Sequence, residues 1–385
     1  MPSERPIYLD YNATTPVDPA VFAAMRPYLE QDFGNPSSGH AYGQAAREAV
    51  GHARRQVAEL LGAQPEEIVF TGGGSEADNL AICGVALARR DQGRHIVTTA
   101  VEHPPVLNTC RYLQRRRGFA LTVLPVDGTG LVDPDDVRRA LRDDTILVSV
   151  MHAQNEVGTV QPVAEIAAVA RERGIAFHTD AAQSVGKVPV RVGDLGVDLL
   201  AVAGHKLYAP KGIGALYVRS GLMLEPLIHG AGHEGGRRAG TENVAGIVGL
   251  GRACALAREY LEEGEDRLQG LRDELWGRLA AAIPGLRLHG HQERRLPNTL
   301  NVGVPGVAGE DLLAAAAGIA ASTGSACHAG RTEPSGVLLA MGLAEEDALT
   351  AVRLSLGRFT SEHDVRRAAD LLIAAATELV NARRG

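Results

Sequence analysis

From about residue 62 to residue 218, short apolar runs alternate with stretches whose apolar residues recur at helical spacing. The runs at 67–71, 95–99, 120–124, 146–151, 175–179, 199–203 and 214–218 predict buried strands. The segments 76–88, 106–116, 134–141 and 163–172 predict amphipathic helices, several opened by Pro or Asp. Such alternation predicts βαβ units around a mostly parallel sheet. A glycine-rich stretch at 230–240 precedes a segment rich in Ala, Leu, Arg and Glu, which predicts a helix leaving the sheet and running to about residue 282. Beyond it the order changes. Two β-like runs, 299–304 and 351–356, alternate with helical patterns at 309–317, 335–341 and 362–380. The expected fold class is α/β, a large mostly parallel-sheet domain over 15–259 plus a smaller α+β domain over 260–385, which the segment 1–14 accompanies.

Composition narrows the function. The 385 residues are 45% hydrophobic and 22% charged, with 45 glycines, as in a globular chain long enough for two domains. Lys and Arg total 39 against 46 Asp and Glu, a formal net charge of −7, and only 4% of residues are aromatic. Neither a basic field nor a stacking platform for nucleic acid is expected. The first residues lack an apolar signal-peptide core, and no run of about eighteen apolar residues occurs, so a cytoplasmic protein without a membrane segment is expected. The four cysteines, Cys83, Cys110, Cys254 and Cys327, are widely spaced with no C-x-x-C pair, and no metal site is expected. Cys83, Cys110 and Cys254 fall in apolar helical patterns and read as inert core.

Polar residues gather where strands end. Lys206 follows the apolar run 199–203 directly after Gly204 and His205; it is either a surface lysine or an amine whose charge a Schiff base removes. Asp180 ends the run 175–179 and is either a helix N-cap or a carboxylate able to keep a pyridine nitrogen protonated. The triple glycine in 71–76 (TGGGSE) joins a strand to a helix, either as a simple tight turn or as an anion cradle at a helix N-terminus. Glu102 and His103 follow one strand, and Gln154, Asn155 and Glu156 another; on a parallel sheet all lie along the edge shared by Asp180 and Lys206. An imidazole can face an aromatic ring, and an amide can donate to a phenolic oxygen. In the C-terminal part, Cys327 sits in a loop of small residues with His328 and Arg331 nearby to stabilise a thiolate.

Other patterns carry less. The segment 230–235 matches G-x-G-x-x-G without a βαβ unit around it. His229 with His233, and His289 with His291, have ligand-like spacing without accompanying carboxylates or thiols and read as loop residues. Asn12-Ala13-Thr14 matches a glycosylation sequon in a chain with no expected secretory route.

Together these residues resemble the cysteine desulfurases of the NifS/IscS type, in the class V aminotransferase group of fold-type I pyridoxal-phosphate enzymes. The resemblance rests on the segments 8–16 (YLDYNATTP), 34–38 (GNPSS), 72–76, 101–103 (VEH), 179–187 (TDAAQSVGK), 204–206 (GHK), 237–243 (RRAGTEN), 324–327 (GSAC), 333–335 (EPS) and 353–358 (RLSLGR), and so covers nearly the whole chain. It implies a pyridoxal 5′-phosphate enzyme that turns L-cysteine into L-alanine and keeps the sulfur as a persulfide on Cys327. Lys206 would tether the cofactor and later move the α-proton, Asp180 would pair with the ring nitrogen, and His103 would stack on the ring and shuttle protons. Asn155 and Gln183 would lie near the phenolic oxygen. Gly74, Ser75 and His205 would hold the phosphate, with Thr241 reaching the phosphate of a second subunit in a homodimer. Arg353 with Asn155 would bind the substrate carboxylate. The implied acceptor is a protein such as an iron–sulfur scaffold.

The chain departs from the family pattern in three places. Ala203 stands where serine is frequent, Gln154 where asparagine is frequent, and His328 where threonine is common after the nucleophile. His328 either lowers the Cys327 pKa or is a solvated loop imidazole. Selenocysteine lyase, a class V aminotransferase needing no cysteine, and a catalytically silent scaffold are the competing expectations. Alanine release from the two amino acids, turnover in Cys327→Ala, and cofactor absorption in Lys206→Ala separate them.

Overall fold

Seven strands form the central sheet in the spatial order Ile68–Thr71, Gly214–Val218, Leu199–Ala203, Ala176–Asp180, Thr145–Ser149, His95–Thr99, Ala120–Leu124. The computed structural model describes residues 5–263, 266–323, 327–328 and 331–382, with residues 263, 266, 327, 328, 331 and 332 described through their backbone alone. The last five strands in that order pair parallel, whereas Gly214–Val218 runs antiparallel to both neighbours. The cause is local: residues 204–213 are too few for a crossover, which needs about a dozen residues or more, so the chain turns straight back.

Successive side chains of a strand face opposite sides, and here each side has its own core. Leu200 and Val202 join Phe177 and Ile166 in one cluster, while Leu199 and Ala201 join Ile96, Leu147 and Leu80 in the other. Helices Ala41–Leu61, Val163–Glu172 and Val244–Glu263 contribute to the first core, and Gly74–Ala88 and Pro104–Arg117 to the second. Two strands are shifted from their expected positions. The chain pairs over Thr145–Ser149 and Ala176–Asp180, so Asp180 is the last strand residue, not the first residue beyond it. Cys83, Cys110 and Cys254 are all buried, as their apolar surroundings in the sequence require.

Helix Ala41–Leu61 was not expected from the sequence. Its buried stripe, Ala46, Val50, Ala53 and Val57, has helical spacing but consists half of alanine, which weakens the apolar signal. Those small residues let it approach Val244–Glu263 closely: a Cβ added to Gly251 would lie 2.6 Å from the Ala53 Cα. Gly251→Val should therefore destabilise the protein by about 1–3 kcal/mol, visible as a lower denaturant midpoint at unchanged slope. The segment expected as one helix to residue 282 is instead two, Val244–Glu263 and Asp266–Ala282.

A third core gathers around the antiparallel sheet Ala351–Ser355, Thr299–Gly303, Arg287–Leu288, covered by Asp266–Ala282 and Glu362–Ala382. Ile7 and Leu9 belong to this core, and Ile7–Tyr8 pairs with Ile319–Ala320. From there the N-terminal segment crosses to the large sheet, where the Thr15 N–H donates to the His205 carbonyl. Among the described residues no helix is long and apolar enough to cross a membrane.

Candidate active site

The carboxyl ends of the parallel strands meet a cavity of about 620 Å³. Its lining includes Gly74, Ser75, His103, Asn155, Asp180, Gln183, His205, Lys206 and Arg353, so nine of the expected site residues converge there. Strand ends collect function for a simple reason: the strands are rigid and buried, while the loops beyond them are free to carry polar groups.

Lys206 ends a short turn, Gly204–Lys206, right after the buried strand Leu199–Ala203. Its Nζ donates to the carbonyls of Asn12 and Ala13, at 2.5 and 2.8 Å. Burial, with Arg353 adding to it, pushes the amine down to about 8. Asp180 is buried, and its Oδ1 accepts the Ala182 N–H at 2.9 Å; this closes a turn and caps no helix. Burial raises its pKa, opposed first by His103. Among the described residues no lysine or arginine forms an ion pair with Asp180. Burial also lowers the pKa of His103.

The glycine turn starts the helix Gly74–Ala88, with Gly73 at φ 148°, a conformation suited to glycine. The first N–H groups of a helix lack a carbonyl four residues back, and such donors suit an anion. Ala203 faces it: a Cβ at Gly74 would lie 3.1 Å from the Ala203 Cβ, so a methyl stands where the family pattern often has a hydroxyl. His205 shares a hydrogen bond with Thr14 at 3.2 Å, and burial lowers its pKa to about 4.

Arg353 occupies the middle of strand Ala351–Ser355. One terminal nitrogen pairs with Asp10 at 2.8 Å, the other donates to the Asn155 carbonyl at 3.2 Å, and its Nε is buried without a partner. A carboxylate ligand would satisfy such an orphaned donor.

Residues 327–328 and 331–332 pair as a short antiparallel ribbon, and the side chains of Cys327, His328 and Arg331 lie outside the described residues. Both approaches to this ribbon touch the cavity's neighbours. The Arg353 N–H donates to the Ser322 carbonyl at 2.6 Å, and the Ser335 hydroxyl donates to Glu156 at 2.5 Å while capping Gly336–Ala340.

Residues 7–368 match the family described as aminotransferase class-V. Cysteine desulfurase IscS of Dictyoglomus turgidum is 47% identical over 371 residues, covering 96% of this chain and 94% of that protein. The chain belongs to the class V aminotransferases, among the NifS/IscS-type cysteine desulfurases. A solved NifS-like protein superposes with a TM-score of 0.90 at 36% identity, covering 97% of this chain and 99% of the other. The solved structure of SspA in complex with cysteine gives a TM-score of 0.80 at 40% identity, covering 92% of this chain and 99% of the other.

In this desulfurase Thr241, expected to reach a second subunit, is exposed and does not line the cavity of its own chain. Gln154 is buried away from the cavity, where its side-chain oxygen accepts the N–H groups of Glu156 and Val157 and so shapes the Asn155 loop. His289 lies just beyond the strand Arg287–Leu288, as a loop residue, and is buried with its N–H donating to the Asn301 carbonyl.

Other groups at the site went unassigned. Asn12 accepts from Gln183, Lys206, Lys187 and Asn298, and donates to Thr299 and the Asn155 carbonyl. Lys211 also lines the cavity, adding a cation to a glycine turn that lacks a P-loop lysine of its own. Only the segment 8–16, shared with the family, could have directed attention to Asn12.

Proposed function

We propose that this cysteine desulfurase holds pyridoxal 5′-phosphate in the cavity, converts L-cysteine to L-alanine and passes the sulfur on from a persulfide at Cys327. One observation carries the cofactor assignment: the Lys206 amine, lowered to about 8, shares a cavity with a buried carboxylate, Asp180, that among the described residues has no lysine or arginine at ion-pair distance. A cationic ring nitrogen would complete that carboxylate, and an aldehyde suits the amine. The helix start at Gly74 and Ser75, with His205, suits the phosphate, and His103 suits the ring face.

When bound, the cofactor supplies an aldehyde that captures the substrate amine and a ring that withdraws electrons from the substrate α-carbon. Lys206 would hold it, and its amine would take the α-proton as a general base. Asp180 would pair with the ring nitrogen and favour its protonation, and His103 would face the ring and move protons. Asn155 and Gln183 would lie near the phenolic oxygen. Arg353 and Asn155 hold the α-carboxylate, fixing which bonds face Lys206 and Cys327. Cys327, as thiolate, would attack the substrate sulfur; an S–S bond forms, the carbon–sulfur bond breaks, and its electron pair stays with the β-carbon, which takes up a proton so that the skeleton leaves as alanine. Thr241 of the partner subunit completes the phosphate site in a homodimer. The same reading takes the enzyme as cytoplasmic, with an iron–sulfur scaffold protein as acceptor, and divides the chain into cofactor and thiol-bearing domains at 259/260, a boundary that falls within the helix Val244–Glu263.

The test is covalent. Borohydride treatment of protein incubated with pyridoxal phosphate should bleach a visible absorption and leave the label on the Lys206 peptide; no absorption, or a label elsewhere, contradicts the assignment.

Two further outcomes follow from the site. An amine must be unprotonated to condense with an aldehyde, so cofactor uptake by the cofactor-free protein should accelerate with rising pH and level off above about 8, well below an ordinary lysine. Stopped-flow absorbance against pH reads this directly. Arg353→Ala should raise KM for L-cysteine about 10- to 100-fold, the effect of losing hydrogen bonds to a charged group, with a smaller change in kcat.

A further inference from the structure

We infer that Asp78 is kept as a neutral carboxylic acid beside Asp180, so that one negative charge, on Asp180, faces the inner end of the cavity. This rests on the cofactor site proposed above and refines its electrostatics. Asp78 lies in the second turn of helix Gly74–Ala88 and lines the cavity, yet it is only 1% exposed. Its Oδ1 is buried with no hydrogen-bond partner. The His178 Nε2 stands 3.5 Å away without hydrogen-bond geometry and is likewise unpartnered.

His178 offers no charge. It is fully buried, its imidazole is pushed down to about 3, and its Nδ1 is engaged with the Ser149 hydroxyl at 2.8 Å. An ionised Asp78 would thus be a buried carboxylate with an orphaned oxygen beside a neutral ring, which is costly; the protonated acid avoids that cost.

The titratable groups around Asp78 come from several strands: His178 and Asp180 belong to Ala176–Asp180, Glu102 and His103 follow His95–Thr99, and Lys206, which follows Leu199–Ala203, lines the same cavity. Asp78, His103 and Asp180 bring one polar atom each within 4.8 Å of one another. Two carboxyls so close in a buried site do not both ionise. Asp180 is the better placed to keep the charge, because it accepts the Ala182 N–H and has His103 and Lys206 as electrostatic partners. Burial, then the carboxyls of Asp180 and Glu102, push Asp78 well up, and burial pushes Glu102 itself up to about 8.

Infrared difference spectroscopy tests this on protein with and without added pyridoxal phosphate. Native minus Asp78→Asn spectra at neutral pH should show loss of the carbonyl stretch of an un-ionised acid, with cofactor affinity changed by less than about threefold, since the amide copies a neutral acid. Loss of an ionised carboxylate band, or a larger drop in affinity, would overturn the inference. Asp78→Ser, also neutral, gives the same band reading if Asp78→Asn does not fold. Asp180→Asn is the control: unweakened cofactor binding there would defeat the cofactor site itself, whichever way the Asp78 band reads.

Discussion

Replacing Cys327 with serine should abolish alanine release from L-cysteine while leaving cofactor uptake and its visible absorption intact. The reason is electronic. Sulfur transfer needs a soft thiolate to attack a sulfur atom, and a serine hydroxyl is neither ionised near neutrality nor able to hold the transferred atom as a persulfide. No other described cysteine can substitute. Cys83, Cys110 and Cys254 are buried in the two cores flanking the sheet, and burial raises all three thiols, Cys83 to about 11. The two stems of the Cys327 ribbon are tied to Arg353 and Glu156, next to the groups assigned to the substrate carboxylate. Full turnover by Cys327→Ser, measured as alanine formed per enzyme, would instead mark an aminotransferase-like enzyme that needs no thiol.

Lys206→Ala should lower kcat by roughly 10²- to 10⁴-fold, the range for loss of a positioned acid–base group, and should eliminate borohydride labelling. Charge alone is not what Lys206 contributes. Its amine lies near pH 8 because burial and the neighbouring Arg353 oppose its cation, so it can give up and regain a proton under ordinary conditions. Lys206→Arg keeps a permanent cation that can do neither and should be about as inactive as the alanine variant. Comparable rates in Lys206→Arg and the native enzyme, followed as alanine release at pH 8, would assign the lysine a purely electrostatic role.

Much of this was legible in the sequence where burial and periodicity coincide. Runs such as Leu199–Ala203 are apolar throughout because both faces of the sheet are covered, and Lys206 stands out because it follows such a run. The strand ends carrying His103, Asn155, Asp180 and Lys206 fall on one edge because parallel strands put them there. What escaped depends on contacts between distant parts of the chain. Asn12 lies in an irregular segment, and its importance arises only when the N-terminus crosses from the core of the antiparallel sheet to the edge of the large sheet. Asp78 hides in a helix whose neighbours are apolar, and its environment is set by His178, a hundred residues on. Thr241 marks the opposite limit: the motif is plain in the sequence, but its expected ligand belongs to a second copy of the chain.

The most direct test is mass spectrometry of the protein after incubation with L-cysteine under non-reducing conditions. The account predicts one added sulfur atom on the peptide containing Cys327, with alanine appearing in step. Alanine formed without sulfur on that peptide, or sulfur found on Cys83, Cys110 or Cys254 instead, would contradict it.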